Sequence, residues 1–437
     1  MKIFKKTKSF CSVCKKVVDA DIFEQDGGIF MEKKCPEHGA IKTRVAKYAW
    51  YYKGLNEYYD KLHSLNSFEE QNSRIYTSSV TSKCQLNCNI CFSDVGKNDA
   101  EDISLDFFKE KLEKIKGRRI EVQISGGEPT VRDDLPELLK IISNSGNSAG
   151  IFTNGVKISN DLNYLKKLKT NGLKVVYLWM DAVKNPEVYR KMRGEDFTSL
   201  KTRALENLKK AKIKTRIFFV VARGVNEREV SDMLDFVGKN NFIEAIHIHS
   251  YKYLGKCGFS PSCEFTVDEL VEVIAEQSRG SFSLEDCYNF QKINYAISAI
   301  HNEPRCYLIQ TMIVPRFGDK KINDEFNFKK FLKILAEFEK IWPENKKKAR
   351  LYFNLKCLPI LLRNPKLASL YFNNKKAKFN WGSKFYYSML ITGGAQISNH
   401  DINESFLRCS NRSINLDPEN NIPRCQELIG NYAKKII

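Results

Sequence analysis

Three things are scarce in this 437-residue chain: cysteine, long apolar runs, and acidic residues relative to basic ones. Thirteen cysteines are too few for a disulfide scaffold of this length, and the first six form two groups with metal-ligand spacing. No run approaches ~18 consecutive apolar residues, so no transmembrane helix is expected. Polar residues follow the first six positions, so no secretory signal is expected. These absences predict a protein of the reducing cytoplasm.

The shortage of acidic residues produces a formal net charge of +19, from 71 basic and 52 acidic residues. Three explanations stay open: a solvated basic surface, attraction to an anionic membrane surface, and nucleic-acid binding. The basic residues look scattered apart from the runs at 346–348 and 375–378, and no signature of a nucleic-acid-binding module accompanies them. We therefore expect no nucleic-acid partner and favour peripheral contact with an anionic membrane.

The cysteine group that carries chemistry is Cys84-x3-Cys88-x2-Cys91, followed by Phe92. Three thiolates at this spacing can each bind one iron of a [4Fe–4S] cube, which leaves the fourth iron without a protein ligand. A zinc knuckle is the alternative, but it normally requires a fourth Cys or His nearby, and residues 84–92 offer none. The spacing resembles the signature of radical S-adenosylmethionine (SAM) enzymes. That resemblance implies that SAM binds the open iron and is cleaved to a 5′-deoxyadenosyl radical.

A second motif, Gly126-Gly127-Glu128-Pro129, lies about 35 residues further on, at the end of a predicted strand. Glycines at a strand end allow backbone carbonyls to approach a ligand closely, and proline fixes the direction of the exit. Alone, such a motif is usually a strand-to-helix turn. After the cysteine spacing, it predicts a carbonyl-lined site beside Glu128 for the ammonium group of SAM.

Polar residues at the ends of later predicted strands are further candidates for SAM binding. They are Thr153 and Asn154 for the ribose or carboxylate, Asp181 for the ribose hydroxyls, and Arg223 or Asn226 for the carboxylate. Each also suits a helix cap or a turn, and their shared position at one end of the strands favours the binding role. His247 and His249 alternate on the last predicted strand, so both point to one face. They are candidates for a general base or a substrate contact.

The other cysteine group opens the chain, with Cys11 and Cys14 before a turn at 26–28 and Cys35 and His38 after it. Two such pairs facing each other form the tetrahedral sites of zinc ribbons and rubredoxin-like units. Zinc and a single iron both stay open as the metal. Because four protein ligands leave no open position, a structural role is expected.

The overall pattern predicts an α/β protein with a partial (β/α)6 TIM-like barrel. Strand-like and helix-like segments alternate six times within residues 74–255. Residues 1–45 form the ribbon-like metal unit, 46–73 a connector, and 256–437 a mainly helical cap and substrate region. One helical face of that cap fits either a packed core or an apolar tunnel; it comprises Phe328, Phe331, Leu332, Leu335 and Phe338.

The resemblance extends past the barrel, to the radical SAM group of archaeal tetraether lipid synthases and relatives once described as pterin methyltransferases. It covers both cysteine groups, Gly126 to Thr130, Tyr177-Leu178-x-x-Asp181, Met192-Arg193-Gly194, Arg223-Gly224-Val225-Asn226, and Arg408-Cys409 through Ile422-Pro423-x-Cys425. It implies enzymes that join or alkylate unactivated lipid carbons, or that were proposed to methylate a cofactor precursor. It also implies an electron donor of the flavodoxin or ferredoxin type.

Two departures from that group argue against auxiliary clusters bound as in the synthases. Residues 71–83 lack the second cysteine set often found there, and residues 286–299 retain one cysteine of a Pro-Cys-rich stretch. Seven cysteines could still bind an auxiliary cluster or be buried thiols: Cys257, Cys263, Cys287, Cys306, Cys357, Cys409 and Cys425.

The sequence therefore predicts a radical SAM enzyme that functionalises an unactivated C–H bond of a lipid or lipid-like substrate. The alternative within catalysis is a peptide- or small-molecule-modifying enzyme, including methyl transfer. Peptide-modifying relatives would normally carry a tighter cysteine array near the C-terminus. Outside catalysis, the alternative is a zinc-stabilised binding protein with a degenerate barrel, against which the intact cysteine spacing argues.

Overall fold

The computed structural model describes residues 2–62 apart from 12 and 15, 75–91, 102–300 apart from 254, 310–315, 328–363, 386–392 and 413–415. Several features named from the sequence lie outside the described residues: Phe92, Cys306, the basic run at 375–378, and most of the C-terminal motif at 408–425 with Cys409 and Cys425. Within that motif, residues 413–415 are described without their side chains. Within the described ranges, the strands form a four-stranded sheet and a nine-stranded sheet.

The small sheet is antiparallel, and its strands pair in chain order. They are Lys2–Phe10 (β1), Val17–Gln25 (β2), Gly28–Cys35 (β3) and Gly39–Ala46 (β4). Asp26 and Gly27 have positive φ values of 50° and 74°, as the tight turn between β2 and β3 requires. One face of the sheet forms a small core around Ile22, Ile29 and Met31. The turn expected at 26–28 is confirmed.

Six parallel strands form the centre of the large sheet and also pair in chain order. They are Ile75–Ser79 (β5), Glu121–Ser125 (β6), Ser148–Thr153 (β7), Leu173–Trp179 (β8), Lys214–Val221 (β9) and Ile243–Ser250 (β10). Seven helices occupy the crossovers: Leu105–Glu113 (α2), Leu135–Asn144 (α3), Val156–Asn160 (α4), Leu162–Thr170 (α5), Pro186–Arg193 (α6), Thr198–Ala211 (α7) and Val230–Lys239 (α8). The predicted (β/α)6 partial barrel is confirmed.

Strands from the C-terminal region cover both edges of this barrel, which the expectation of a mainly helical cap missed. They are Gln310–Pro315 (β11), Tyr386–Thr392 (β12) and Ser413–Asn415 (β13). The full order is β11-β12-β10-β9-β8-β7-β6-β5-β13, in which β12 is parallel to β10 and β13 is parallel to β5. An open barrel leaves unpaired backbone groups at its edge strands, and the added strands satisfy them.

Helices close the outside of the barrel. They are Ala49–Leu62 (α1), Val267–Glu276 (α9), Leu284–Ile300 (α10), Phe328–Ile341 (α11) and Lys346–Arg363 (α12). Phe331, Leu335 and Phe338 of α11 are buried in the main core, and Leu332 packs against it. The apolar stripe expected on this helix therefore serves as core packing rather than as a tunnel wall. The side chain of Phe328 lies outside the described residues.

Polar contacts with α9 attach the small sheet to the barrel. The backbone N–H of Tyr48 donates to the Asp268 carboxylate at 2.6 Å, and Lys47 Nζ lies 2.6 Å from a Glu272 oxygen. α1 then buries Tyr51, Leu55, Tyr58 and Tyr59 in the main core. In the described part of the chain, no helix combines the length and apolarity needed to cross a membrane.

Candidate functional site

Four ligand atoms converge at one end of the small sheet. The Sγ atoms of Cys11, Cys14 and Cys35 and a ring nitrogen of His38 all lie within 4.8 Å of one another. Cys14 Sγ is 3.8 Å from Cys35 Sγ, and His38 Nδ1 is 3.5 Å from Cys35 Sγ. Thiolates at the corners of a tetrahedron, ~2.3 Å from a central zinc, lie about 3.8 Å apart. The four residues therefore fit a single tetrahedral metal ion.

The cysteine loop, residues 80–91, begins where β5 ends and lies against the end of β6. The N–H of Gly127 donates to the Thr81 carbonyl at 2.7 Å, and the N–H of Glu128 donates to the Lys83 carbonyl at 2.9 Å. A Cβ on Gly126 would lie 2.2 Å from the Thr81 oxygen, and one on Gly127 would lie 2.2 Å from the Lys83 oxygen. The carbonyls that require these glycines thus belong to the loop itself. Contact of either glycine with SAM stays a prediction.

The contacts of Gly126 and Gly127 clamp the near end of the cysteine loop, and a second set of backbone contacts, made by residues 256–258, clamps its far end. After β10, the N–H of Lys256 donates to the Cys91 carbonyl at 3.0 Å, and that of Gly258 donates to the Asn89 carbonyl at 3.1 Å. A Cβ on Gly258 would lie 2.4 Å from that Asn89 oxygen. Asn89 Nδ2 also donates to the Lys191 carbonyl of α6 at 2.9 Å. The loop is therefore fixed from both sides by backbone contacts.

The three thiols of this loop are spaced differently from the ligands of the small sheet. Cys84, Cys88 and Cys91 are partly exposed and, among the described residues, do not form a group converging within 4.8 Å as the small-sheet ligands do. In a [4Fe–4S] cube each thiolate binds a different iron, which calls for wider spacing. The Leu86 N–H lies 3.4 Å from Cys84 Sγ, and Asn154 Nδ2 lies 3.9 Å from it. Burial, followed by nearby carboxylate and thiol groups, raises the pKa of Cys84 to about 11, so its thiolate calls for a bound cation.

Glu128 joins the end of β6 to the end of β7. It is 1% exposed, and its Oε1 accepts from the hydroxyls of Thr130 at 2.5 Å and Thr153 at 2.7 Å. Its Oε2 accepts from the backbone N–H of Asn154 at 2.7 Å. Burial raises the pKa of Glu128, and these donors oppose that shift. Three residues predicted from sequence are thus brought together, and their contact with SAM stays a prediction.

Asp181 and Asn226 already have protein partners. Both Asp181 carboxylate oxygens accept from Arg193, at 2.6 and 2.9 Å. Burial alone would lower the pKa of Arg193, but Asp181, and after it the Cys88 thiol, raises that pKa. Asn226 Nδ2 donates to the Asp181 carbonyl at 3.0 Å, and its Oδ1 accepts from the Ala222 N–H at 2.8 Å. These contacts order the strand ends, while the predicted ribose and carboxylate contacts stay predictions.

Arg223 connects the barrel to the small sheet through one carboxylate. Its guanidinium lies 3.1 Å from a Glu269 oxygen and 4.1 Å from the ring centroid of Phe265. The same Glu269 pairs with Arg44 of β4. Arg223 is therefore held on α9, and its predicted contact with the SAM carboxylate stays a prediction.

Stacked rings line the inner face of β8, β9 and β10. The ring centroid of Phe218 lies 4.7 Å from that of His247 and 4.5 Å from that of His249, with near-parallel planes. Trp179 lies 4.9 Å from Phe218. Burial, followed by a nearby arginine, lowers the pKa of His247 well below its usual value, so this ring is neutral at pH 7. The two histidines share a face with these rings, and their catalytic role stays a prediction.

A small cavity lies where this aromatic face meets the cysteine loop. Ligands of barrel enzymes bind at the carboxyl ends of the strands, and this cavity lies at the carboxyl ends of β8, β9 and β10. Its wall is formed by Ile90, Trp179, Val220, His249, Ser250, Tyr251 and Lys252.

Lys201 is a site residue that the sequence reasoning missed. It is 4% exposed, and its Nζ donates to the Asn154 carbonyl at 2.6 Å. Burial, and after it Arg193, lowers the pKa of Lys201 to about 8. The sequence did contain an indication of this residue. Lys201 has the helical spacing of Ala204 and Leu208, which lie on the buried face of α7, and a lysine is unusual at such a position.

The described cysteines outside the two groups fall into two kinds. Cys257 and Cys263 are partly exposed and follow β10, and Cys257 lies between the two residues of the second clamp. Cys287 and Cys357 are buried, and burial raises the pKa of both thiols. Within the described residues, these four do not form a group suited to a single metal ion. An auxiliary cluster stays untested.

Comparison with known proteins agrees with this arrangement. Residues 3–47 match the HMPTM N-terminal zinc ribbon domain, and residues 78–237 match the radical SAM superfamily. The chain therefore carries a radical SAM domain, with its [4Fe–4S] cluster and SAM, preceded by a zinc ribbon. The expected family resemblance and cofactors are confirmed.

Relatives are similar over part of their length. The chain is 31% identical over 313 residues to a 7,8-dihydro-6-hydroxymethylpterin dimethyltransferase of Methanocaldococcus jannaschii, covering 65% of this chain and 61% of the relative. It is 27% identical over 229 residues to an Fe-coproporphyrin III synthase of Methanosarcina barkeri, covering 49% and 54%. The chain thus spans just over half the length of these curated relatives. The crystal structure of Streptococcus suis SuiB bound to precursor peptide SuiA is similar with a TM-score of 0.40 and 18% identity, covering 51% of this chain and 48% of that one.

Replacing a zinc-ribbon ligand should remove one metal ion per chain. We expect Cys14→Ser to lose that metal and to make residues 2–46 sensitive to protease, because the metal-binding energy stabilises the folded unit. Elemental analysis, which also distinguishes zinc from iron, and limited proteolysis check this. The control is Ser262→Ala, at an exposed position outside both cysteine groups. Full metal retention with protease resistance in Cys14→Ser would contradict the assignment.

Adding one methyl group at Gly127 should disturb the cysteine loop. The Cβ of Gly127→Ala would overlap the Lys83 carbonyl, and relieving such an overlap costs on the order of 1–3 kcal/mol. We expect reduced iron and sulfide content after anaerobic purification. Gly117→Ala is the control for general destabilisation: its φ of 71° also strains an alanine, but its Cβ would meet no atom within 4 Å and Gly117 makes no contact with the cysteine loop. Equal iron and sulfide content in the two variants would show that the close contact between Gly127 and the Lys83 carbonyl is not needed for cluster binding.

Breaking the buried Arg193–Asp181 pair should destabilise the protein more than removing both charges. Arg193→Met leaves a carboxylate of 1% exposure without its cation, which costs about 3–5 kcal/mol. The double variant Arg193→Met/Asp181→Asn should recover part of that loss. Urea-unfolding midpoints of the two variants and the parent measure the difference. A double variant no more stable than Arg193→Met would refute the pairing.

Proposed function

We propose that this radical SAM protein transfers an alkyl or methyl group to, or forms a C–C bond at, an unactivated C–H position. The observation that carries the proposal is the cysteine loop, held by Gly126 and Gly127 on one side and by residues 256–258 on the other. The likeness to a pterin dimethyltransferase supports group transfer. We further propose a cytoplasmic setting and an acidic reductant of the flavodoxin or ferredoxin type, which the net charge of +19 would attract.

The chain's own residues have distinct parts in this proposal. When bound, the cluster and SAM supply a 5′-deoxyadenosyl radical that removes a hydrogen atom from carbon. Cys84, Cys88 and Cys91 hold the cluster, and Glu128 orders the strand ends beside it. Rings around the adjacent cavity exclude water from the reacting carbon. Burial lowers the pKa of His247, so its neutral ring is a weak proton acceptor, and His249, which lines the cavity, is the better-placed candidate for substrate contact.

Two substrate classes have support. A lipid or lipid-like substrate is supported by the basic surface and by exposed leucines on α12. A planar heteroaromatic substrate is the second candidate, supported by the stacked rings beside the cavity and by the pterin named for the relative.

SAM cleavage by the anaerobically purified protein tests the catalytic proposal. With dithionite, we expect 5′-deoxyadenosine from the parent protein and none from the Cys84→Ala/Cys88→Ala/Cys91→Ala variant, measured by liquid chromatography. Ser262→Ala, altered at an exposed residue outside both cysteine groups, should retain activity. Undiminished cleavage by the triple variant would refute the role of the three cysteines.

The substrate class is tested with SAM carrying a deuterated methyl group. A lipid extract and a reduced pterin are supplied in separate reactions, and products are analysed by mass spectrometry. A lipid product that carries deuterium, or that has lost hydrogen as the joining of two carbons requires, supports the first candidate, and a pterin product changed in either way supports the second. If deuterium enters only a peptide, both classes are wrong while the radical SAM assignment holds.

A further inference from the structure

The outward side of α12 is apolar. Its inward side consists of Ala349, Phe353 and Cys357, each at most 1% exposed. On the other side, Leu351, Leu355 and Leu358 are 60%, 58% and 37% exposed. Successive residues of a helix are turned by about 100°, so these leucines lie opposite the buried side. A surface helix normally presents polar residues there, and α12 presents leucine.

These leucines are clustered, whereas other exposed apolar residues are dispersed. Six large hydrophobic residues are exposed in the described part of the chain, and three of them lie on this one side of α12. The others are Ile3, Val13 and Trp50. Single exposed hydrophobics are ordinary, but a contiguous stripe indicates a contact surface.

The charge on α12 itself is of one sign, because the helix contains six basic residues and no acidic one. In the sequence, residues 345–400 contain eleven lysines and arginines and no aspartate or glutamate, although Glu344 lies just before the helix. More than half of the net charge of +19 therefore falls in this stretch, so the basic residues are less scattered than they first look. An occupant of this surface must tolerate a dense positive charge.

We propose that α12 docks on the surface of an anionic lipid bilayer. The leucines would enter the boundary between headgroups and acyl chains, and Lys347 and Lys348, which flank them on the helix, would face the lipid phosphates. A second copy of the chain would bring two basic helices together, which repels. A nucleic acid would match the charge, but it leaves the three leucines without an apolar partner. The bilayer satisfies both the charge and the apolar stripe, whatever the substrate is.

Cosedimentation of the whole metal-loaded chain with vesicles tests this proposal. Vesicles of phosphatidylcholine with phosphatidylglycerol should bind the parent protein, and pure phosphatidylcholine should bind it at least roughly tenfold more weakly, with salt reducing the difference. Leu351→Ser/Leu355→Ser/Leu358→Ser should weaken anionic-vesicle binding by roughly tenfold or more. The replaced side chains are exposed, so the variant should keep the parent's circular dichroism.

A charge-reversal pair supplies the matched comparison. Lys347→Glu/Lys348→Glu should weaken binding to the anionic vesicles by roughly tenfold or more, because both charges lie beside the stripe. Lys166→Glu/Lys209→Glu alters two exposed lysines on α5 and α7 and should change binding less than roughly twofold.

Four outcomes would overturn the proposal. They are no binding of the parent to anionic vesicles, equal binding by the triple-serine variant, equal loss in both lysine pairs, and dissociation of a parent dimer by the serine substitutions in the absence of vesicles.

Discussion

The contact between the cysteine-loop backbone and the two glycines at the end of β6 is the constraint on which the rest of the site depends. Carbonyl oxygens of Thr81 and Lys83 lie where a Cβ of Gly126 or Gly127 would be. This close approach fixes where Cys84 leaves the strand end. It also turns Glu128 inward, so that its carboxylate holds Thr153 and Asn154 beside Cys84. A single steric requirement thus positions the loop that carries the predicted cluster cysteines and orders two neighbouring strand ends.

The zinc ribbon is part of the same construction. Its strand β4 supplies Arg44, which shares the Glu269 carboxylate with Arg223 at the end of β9. Asp268 of the same helix accepts from the backbone of Tyr48. The zinc ribbon therefore contacts the carboxyl end of the barrel through α9.

Much of this arrangement was predictable from local sequence. The metal-ligand spacings, the six βα units and the turn at Asp26 follow from patterns that lie within a few residues. Features that depend on contacts between distant residues were not predictable. The pairing of β12 with β10 joins residues far apart in sequence, and only the open edge of the sheet explains it. The contacts of Glu128 and Asp181 with SAM stay predictions, and their hydrogen bonds to protein groups on other elements are what the sequence did not reveal. The only indication of Lys201 in the sequence was a charged residue at a position where the helical spacing predicts a buried apolar one.

The central claim is that three cysteines hold the cluster and leave one iron for SAM. The most direct measurement is the electron paramagnetic resonance spectrum of the anaerobically reduced whole protein, before and after adding SAM. A ligand that binds the open iron changes its coordination, and with it the g values of the cluster. We predict a [4Fe–4S]⁺ signal whose g values shift on addition of SAM. A cluster signal that SAM leaves unchanged would contradict the account.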